Sequence, residues 1–304
     1  MFEINRIDHI SLIVDEVETV VQFFESLLGF RVGSSFIRSG YSGIDMEIPG
    51  TKGISIEILK NEKNDVSNAH SLINKKISVH HVGLQVENLP LMLSSVNDLY
   101  IKTLAPMSSN KFVPFEPNLR PDGEGSYLHI SPGWKDESDF YYEIFDGNAQ
   151  HLPNYFLDNT TQGIGIKKLS AWAHVSNHDD SLSDWYEKIF GLEATYFWNP
   201  SPTDYSFSVQ TFRFPNNKMN VEILKPLKTN SYVQKFLQDF GCTIHHISFE
   251  VANIDFVSKV CKQYGIQVFG LHSGFSKTGN WNECFIAPPQ IRGLLIHFYS
   301  WNTK

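Results

Sequence analysis

The chain has 304 residues, 41% of them hydrophobic and 13% aromatic, which is enough apolar material for two buried cores. Its formal net charge is -8, from 25 basic and 33 acidic residues without a basic run. This charge does not favour binding to nucleic acid or to a membrane, so we expect a small-molecule partner. Three cysteines without a C-x-x-C pair predict no disulfide framework and no zinc knuckle, and the absence of a signal-like or long apolar segment predicts a cytoplasmic protein.

The first predicted unit covers residues 7–59 and has the order β-α-β-β-β. Residues 7–14 have strand character, and apolar residues at three-and-four spacing from Val17 to Leu28 predict an amphipathic helix that ends at Gly29. Short aliphatic or aromatic runs at 30–37, 44–48 and 53–59 are separated by Gly, Ser and Pro. They predict the three further strands.

The second unit begins at Ile77, with Asn88 as the predicted N-cap of its helix. Residues 107–125 are rich in Pro and Gly and predict a long loop, and loops of that length are often functional. Strands predicted at 127–130 and 140–145 close the unit. Residues 147–165 show no clear period and predict a linker, so we place one domain at 1–155 and a second at 165–304.

The same unit recurs in the second half of the chain. Residues 7–16 (IDHISLIVDE), 79–88 (VHHVGLQVEN) and 244–253 (IHHISFEVAN) are copies of one strand with a histidine at its third position. The sequence EILK occurs at both 57–60 and 222–225. Helices that end at Gly191 and Gly265, the second with Asn253 as N-cap, belong to the third and fourth units. Four βαβββ units in two pairs predict an α+β fold.

Tandem βαβββ units with a histidine in the opening strand and a carboxylate in the closing strand resemble the vicinal oxygen chelate superfamily. This superfamily includes glyoxalase I, methylmalonyl-CoA epimerase, extradiol dioxygenases and the bleomycin and fosfomycin resistance proteins. The resemblance covers nearly the whole chain, and the motifs at 221–251 and 120–125 are most similar to those of the epimerase. It implies two tandem glyoxalase-like domains, each a curved mixed sheet that forms a cup with flanking helices.

The resemblance implies a divalent metal site in the first half, made from the opening and closing strands of its two units: His9, Glu57, His81 and Glu143. Two imidazoles and two carboxylates can hold Ni, Co, Mn, Zn or Fe(II) and leave positions for substrate oxygens. A carboxylate on an aliphatic strand, such as Glu57, is costly to bury unless a cation satisfies it. The units could instead pair across the chain, the first with the fourth and the second with the third.

The second half departs from this ligand pattern. Ala171 aligns with His9, and His297 aligns with Glu143, so the second domain is expected to carry a degenerate site. Whether it binds a metal stays open for the remaining residues, Glu222, His246 and His297. The other strand histidines are interpreted as surface or hydrogen-bonded core residues: His80, His129, His174 and His245.

The expected activity is that of a metal-dependent isomerase or lyase of the glyoxalase or epimerase type. Glu143 or Glu57 would be the catalytic general base, and the metal would stabilise an enolate formed from a carbonyl or acyl substrate. Methylmalonyl-CoA is not favoured as substrate, because residues 41–44 (YSGI) stand where the epimerases carry a glutamate base. One alternative is an Fe(II) extradiol-type ring-cleaving dioxygenase that uses His9, His81 and Glu143. Another is a resistance-type protein that binds a flat ligand without turnover, and a homodimer is compatible with each.

Overall fold

The structure is a computed structural model, and it describes residues 3–38, 41–60, 77–91, 102–104, 118–119, 125–131, 141–148, 163–177, 179–203, 205–214, 219–275, 279–291 and 293–303. The predicted linker at 147–165 falls mostly outside these residues, and so does most of the loop predicted at 107–125.

The first half forms one mixed sheet. Its strands are β1 (Ile4–Val14), β2 (Arg31–Arg38), β3 (Tyr41–Glu47), β4 (Ser55–Lys60), β5 (Ile77–Val86), β6 (Lys102–Leu104), β7 (Asn118–Leu119), β8 (Ser126–Ser131) and β9 (Tyr141–Phe145). They lie in the order β2-β3-β4-β1-β5-β9-β8-β6, with β7 paired to β8. The two units join where their opening strands, β1 and β5, pair antiparallel, and each opening strand pairs in parallel with the closing strand of its own unit.

The second half repeats this sheet. Its strands are β10 (Ile166–Val175), β11 (Ala194–Trp198), β12 (Phe207–Arg213), β13 (Asn220–Pro226), β14 (Thr243–Val251), β15 (Val268–Phe275), β16 (Gly279–Ile286) and β17 (Leu295–Thr303). The order β11-β12-β13-β10-β14-β17-β16-β15 matches the first sheet strand for strand. Two units therefore share a sheet within each half, and the predicted α+β fold of two tandem glyoxalase-type domains is confirmed.

The helices predicted in the first, third and fourth units end close to the predicted glycines, and the helix predicted after Asn88 lies mostly outside the described residues. The helices are α1 (Val17–Phe23), which continues as a π-helix (Phe24–Leu28), α2 (Asp179–Phe190), α3 (Tyr232–Phe240) and α4 (Ile254–Gln263). Gly29 and Gly191 follow the first two with φ of 75° and 64°, the left-handed conformation that glycine adopts at little cost. Asn253 caps α4 by accepting a hydrogen bond from the Phe256 backbone N–H at 3.1 Å.

Two elements of the structure were not predicted from the sequence. Helix α3 was not predicted, although Ser231 caps it and Val233, Phe236 and Leu237 form its buried side. The short strand β7 lies inside the segment that we predicted to be a loop. None of the helices in the described part of the chain has the length and apolar character needed to span a bilayer.

One continuous core lies between the two sheets. Tyr142 of β9 packs against Trp185 of α2, with 5.8 Å between ring centroids, and its hydroxyl hydrogen-bonds that of Tyr186. Phe30 and Phe249 approach to 5.8 Å between centroids from opposite halves. Each sheet thus turns one face toward the other half. On the opposite face of the second sheet, Val233, Phe236 and Leu237 of α3 pack over part of β10 and β13.

Candidate metal centre

The strand register places all four predicted ligands on one face of the first sheet. Ser11 is the cross-strand partner of both Glu57 and His81, and paired residues point to the same side of a sheet. Gly83 likewise pairs with both His9 and Glu143, which forms a second row two residues along. We call the side that carries these two rows the site face. It lies opposite Tyr142, and therefore points away from the shared core.

The donor atoms of the four side chains converge. His9 Nε2 lies 3.0 Å from His81 Nε2, which lies 3.6 Å from Glu143 Oε2. Glu57 Oε2 lies 4.0 Å from His9 Nε2 and 3.9 Å from His81 Nε2. All four residues are at most 4% exposed. Two imidazoles and two carboxylates therefore meet in a space closed to bulk water.

These distances fit a divalent metal ion. Ligand atoms about 2.1 Å from a metal lie about 3.0 Å apart when they are at right angles and about 4.2 Å apart when they are opposite. The separations of His9 from His81, of His81 from Glu143 and of Glu57 from both histidines are 3.0 to 4.0 Å and fall in that interval. Among the described residues, the one group of three or more His, Cys, Asp or Glu donor atoms that all lie within 4.8 Å of one another is His9, His81 and Glu143.

Each histidine ligand is held by a neighbour through its other ring nitrogen. Asp8 Oδ1 lies 3.0 Å from His9 Nδ1, and Asp8 in turn accepts a hydrogen bond from Arg6. His80 Nδ1 lies 2.9 Å from His81 Nδ1. Contacts of this kind fix the ring orientation and direct Nε2 toward the centre of the site, where the Ser11 hydroxyl also lies 3.0 Å from His81 Nε2.

The carboxylates are held in the same way. His129 Nε2 lies 3.3 Å from Glu143 Oε2, and the Ser11 hydroxyl donates a hydrogen bond to Glu57 Oε2. His129 reaches Glu143 because the two residues are cross-strand partners in β8 and β9. Sequence reasoning missed Asp8 and Ser11, and it interpreted His80 and His129 as surface or hydrogen-bonded core residues without assigning them a role at the site. The available signals were the repeated His-His pair and the alternation along each strand.

Burial and neighbouring charges set the protonation states. Burial lowers the pKa of His81 well below its usual value, and this outweighs the opposing effect of the Glu143 carboxylate. Burial alone would raise the pKa of Glu143, but the hydrogen bond from His129 and the nearby His81 and His9 hold it well below its usual value. A neutral imidazole and an ionised carboxylate are the forms that bind metals.

Gly83 makes room for the His9 ring. A Cβ atom at position 83 would lie 2.3 Å from His9 Cε1 and 2.6 Å from each ring nitrogen. The second sheet has the opposite combination at the equivalent pair, because Ala171 faces Ser248 there. A histidine opposite glycine has been replaced by an alanine opposite serine.

The second half keeps only part of the ligand set. Its register confirms the alignment: Ala171 stands at the position of His9, and His297 stands at the position of Glu143. Glu222 Oε2 lies 3.8 Å from His246 Nε2. His297 instead hydrogen-bonds Ser248 Oγ through Nδ1 at 3.0 Å and Glu283 Oε2 through Nε2 at 3.2 Å.

Comparisons with known proteins agree with this architecture. Two family profiles, both described as Glyoxalase/Bleomycin resistance protein/Dioxygenase superfamily, match residues 6–100 and 172–285. A comparison with curated proteins found no match.

Several solved structures have the same fold. A mutant 4-hydroxymandelate synthase from Streptomyces coelicolor is 13% identical with a TM-score of 0.71, over 100% of this chain and 94% of that one. The Mn(II)-bound glyoxalase from Novosphingobium aromaticivorans is 14% identical with a TM-score of 0.61, over 99% and 83%. A xylose isomerase-like TIM barrel/4-hydroxyphenylpyruvate dioxygenase fusion protein is 12% identical with a TM-score of 0.63, over 100% and 49%. Taken with the two profile matches and the repeated βαβββ sheets, these similarities show that the chain belongs to the glyoxalase/bleomycin resistance protein/dioxygenase superfamily, also called the vicinal oxygen chelate superfamily.

Proposed function

We propose that the first half is a metal-dependent isomerase or lyase that forms an enolate from a carbonyl or acyl substrate. The observation that carries this proposal is the convergence of buried donor atoms from His9, His81 and Glu143, with a Glu57 oxygen 4.0 Å from His9 Nε2 and 3.9 Å from His81 Nε2. Members of this superfamily are mostly metal-dependent enzymes. The proposed domain division at 155 and 165 assigns the whole site to the first domain.

The histidines would bind the metal ion, and a carboxylate would transfer the proton. His9 and His81 would bind the ion through Nε2, held in place by Asp8 and His80. The bound metal would act as a Lewis acid on a substrate oxygen and so favour negative charge there. A carboxylate oxygen of Glu143 or Glu57 would take the proton from the neighbouring carbon and return it to the same or an adjacent carbon.

Hydrogen–deuterium exchange tests this proposal. The metal content of the native protein is measured first, and then α-hydroxy carbonyls and acyl-CoA esters are incubated with it in D2O and followed by NMR. We expect metal-dependent deuterium incorporation next to the carbonyl. Glu143→Gln or Glu57→Gln should slow it, depending on which residue is the base. Glu222→Gln, the matched change in the second half, should not. Metal-loaded protein that exchanges none of these substrates would contradict the proposal.

A dioxygenase is the second candidate. One observation favours it: the tightest group of donor atoms is His9, His81 and Glu143, a two-histidine, one-carboxylate set that suits Fe(II). In this case Glu57, which accepts a hydrogen bond from Ser11, would stay off the iron. Oxygen uptake on catechols after anaerobic Fe(II) loading tests it. Uptake that survives Glu57→Gln would favour the dioxygenase over the isomerase or lyase.

A further inference from the structure

We propose that the second half binds a small hydroxycarboxylate in a pocket at the N-terminus of α4. The pocket lies on the side of the second sheet that α4 covers, opposite to the side that carries Glu222, His246 and His297. The carboxylate of the ligand would take the place that the Asp146 side chain fills in the first half. The proposal does not depend on the function proposed for the metal centre.

In the first half, an aspartate occupies the N-terminus of the helical turn that begins at Leu89. Asp146 Oδ2 accepts a hydrogen bond from the Leu89 backbone N–H at 2.9 Å. Its Oδ1 accepts one from the Ser126 backbone N–H at 2.7 Å. The first N–H groups of a helix have no partner within the helix, and they attract negative charge. The carboxylate of Asp146 therefore satisfies an N–H group that the helix itself leaves without an acceptor.

The second half repeats the backbone arrangement at the start of α4. Asn253 caps α4 as Asn88 caps the first-half turn, each by accepting a hydrogen bond from the third residue of its helix. Ile254 is therefore the equivalent of Leu89. Ile254 is 5% exposed, and its backbone N–H has no acceptor within the described ranges. The group that Asp146 satisfies in one half is left open in the other.

Ser300 stands where the first half has Asp146. It lies three residues after His297, as Asp146 lies three residues after Glu143, and His297 and Glu143 occupy equivalent positions in the register. Residues three apart in a strand point to opposite faces, so Ser300 points away from the side of His297. Ser300 is 3% exposed, and its hydroxyl has no hydrogen-bond partner in the part of the chain that the structure describes. Buried hydroxyls normally have a partner, so a ligand oxygen here would meet an unfilled requirement.

A cavity of about 400 Å³ is lined by both of these groups, a volume typical of sites for small molecules. Ser300 lies at its buried end, and Leu271, which is 60% exposed, lies at its rim. Ser273, Asn282 and Ser300 form one row of cross-strand partners on β15, β16 and β17. Cross-strand partners point to the same side of a sheet, so this row forms a polar wall of the pocket.

A hydroxycarboxylate suits this pocket in charge and in hydrogen bonding. One carboxylate oxygen would accept from the Ile254 N–H, at the positive end of α4. The other would accept from the Ser300 hydroxyl or from the side-chain amide of Asn282. Hydroxyl groups on the rest of the ligand would hydrogen-bond the polar side chains nearer the rim, which are Ser273 and Asn302.

One charge at the pocket opposes an anion. Asp255, the second residue of α4, also lines the pocket, whereas Pro90 stands at that position in the first half. The Asp255 side chain is exposed, so water and salt screen its repulsion. It should weaken the binding of a carboxylate without preventing it, and its neutralisation should strengthen that binding.

The test uses the full-length protein and two probes that differ in one group, glycerate and glycerol, and follows backbone amide signals by NMR during titration. We expect glycerate to shift the Ile254 signal and to bind about tenfold more tightly than glycerol, because hydrogen bonds to a charged acceptor are roughly twice as strong as neutral ones. The Leu89 amide is the matched control. It should not shift, because Asp146 already occupies it.

Three variants extend the test. Ser300→Asp copies Asp146, so it should abolish the glycerate shift at Ile254 and raise the melting temperature. Ser300→Asn has the same size without the charge and should not raise the melting temperature. Asp255→Asn should tighten glycerate binding at low ionic strength.

Four results would overturn the proposal. They are the absence of an Ile254 shift with glycerate at tens of millimolar, equal binding of glycerate and glycerol, glycerate binding that survives Ser300→Asp, and weaker glycerate binding by Asp255→Asn. If Ser300→Asp does not fold, the comparison of glycerate with glycerol at Ile254 in the wild-type protein decides, together with Asp255→Asn.

Discussion

Replacement of Gly83 by alanine should remove the proposed metal from the first half without touching a ligand. The added Cβ would lie 2.3 Å from His9 Cε1, whereas non-bonded carbon atoms sit about 3.5 to 4.0 Å apart. The ring must therefore retreat by about 1.2 Å or more. Metal sites tolerate deviations of about 0.2 Å in their bond lengths, so His9 would cease to be a ligand.

The same change should cost stability. Forcing an extra methyl group into a packed site typically costs about 1–3 kcal/mol, and the 0% exposure of His9 leaves the ring little room to move. The double variant His9→Ala/Gly83→Ser copies the arrangement of Ala171 and Ser248 in the second half. It should regain most of the lost stability and still bind no metal.

Elemental analysis and calorimetric titration with Mn(II) or Co(II) measure the metal, and urea unfolding measures stability. Gly33→Ala is the matched control, because a Cβ at that position on β2 would meet its nearest neighbour at 3.4 Å, an ordinary contact. Gly83→Ala protein with wild-type metal content and affinity would refute the role assigned to His9.

Five other substitutions test the site and the fold. His81→Ala and Glu143→Ala should each abolish metal binding in elemental analysis, since one ligand of the set is lost; unchanged content in both would remove the proposed site. Glu57→Gln should keep the circular dichroism spectrum but change metal affinity in calorimetry, and if it does not, Glu57 is a structural residue. Glu222→Ala should leave the metal content as it is, and metal loss with an intact fold would show that the halves share a site. Burial lowers the pKa of His174 to about 3, so the unfolded chain binds its proton first as pH falls below about 6.5. The unfolding free energy should then drop by about 2 kcal/mol from this residue between pH 7 and 5, and His174→Gln should show a correspondingly smaller drop in urea unfolding.

The repeated units could be predicted from sequence because their signals are local. Apolar spacing, a glycine stop such as Gly29 and an asparagine cap such as Asn253 each act within a few residues. The repeat then placed His9, His81 and their partners at matching strand positions, and the structure brings them together.

Other features depend on contacts that no local pattern encodes. Asp8 and His9 are neighbours in a strand and should point to opposite faces, but the irregular register between Ile7 and His9 lets the carboxylate reach the ring. The need for glycine at position 83 appears only once β1 lies beside β5. Tyr142 gives no hint in the sequence that its partners are Trp185 and Tyr186, more than forty residues later.

The core shared by the two sheets has a consequence for how the halves can diverge after duplication. Because Tyr142 and Phe249 pack across the seam, substitutions there must suit both copies at once. The outward faces carry no such mutual constraint, and a change such as histidine to alanine at position 171 alters one site while the other keeps its geometry. Substitutions on the outward face of one half can therefore change what it binds, provided that the core it shares with the other half is kept.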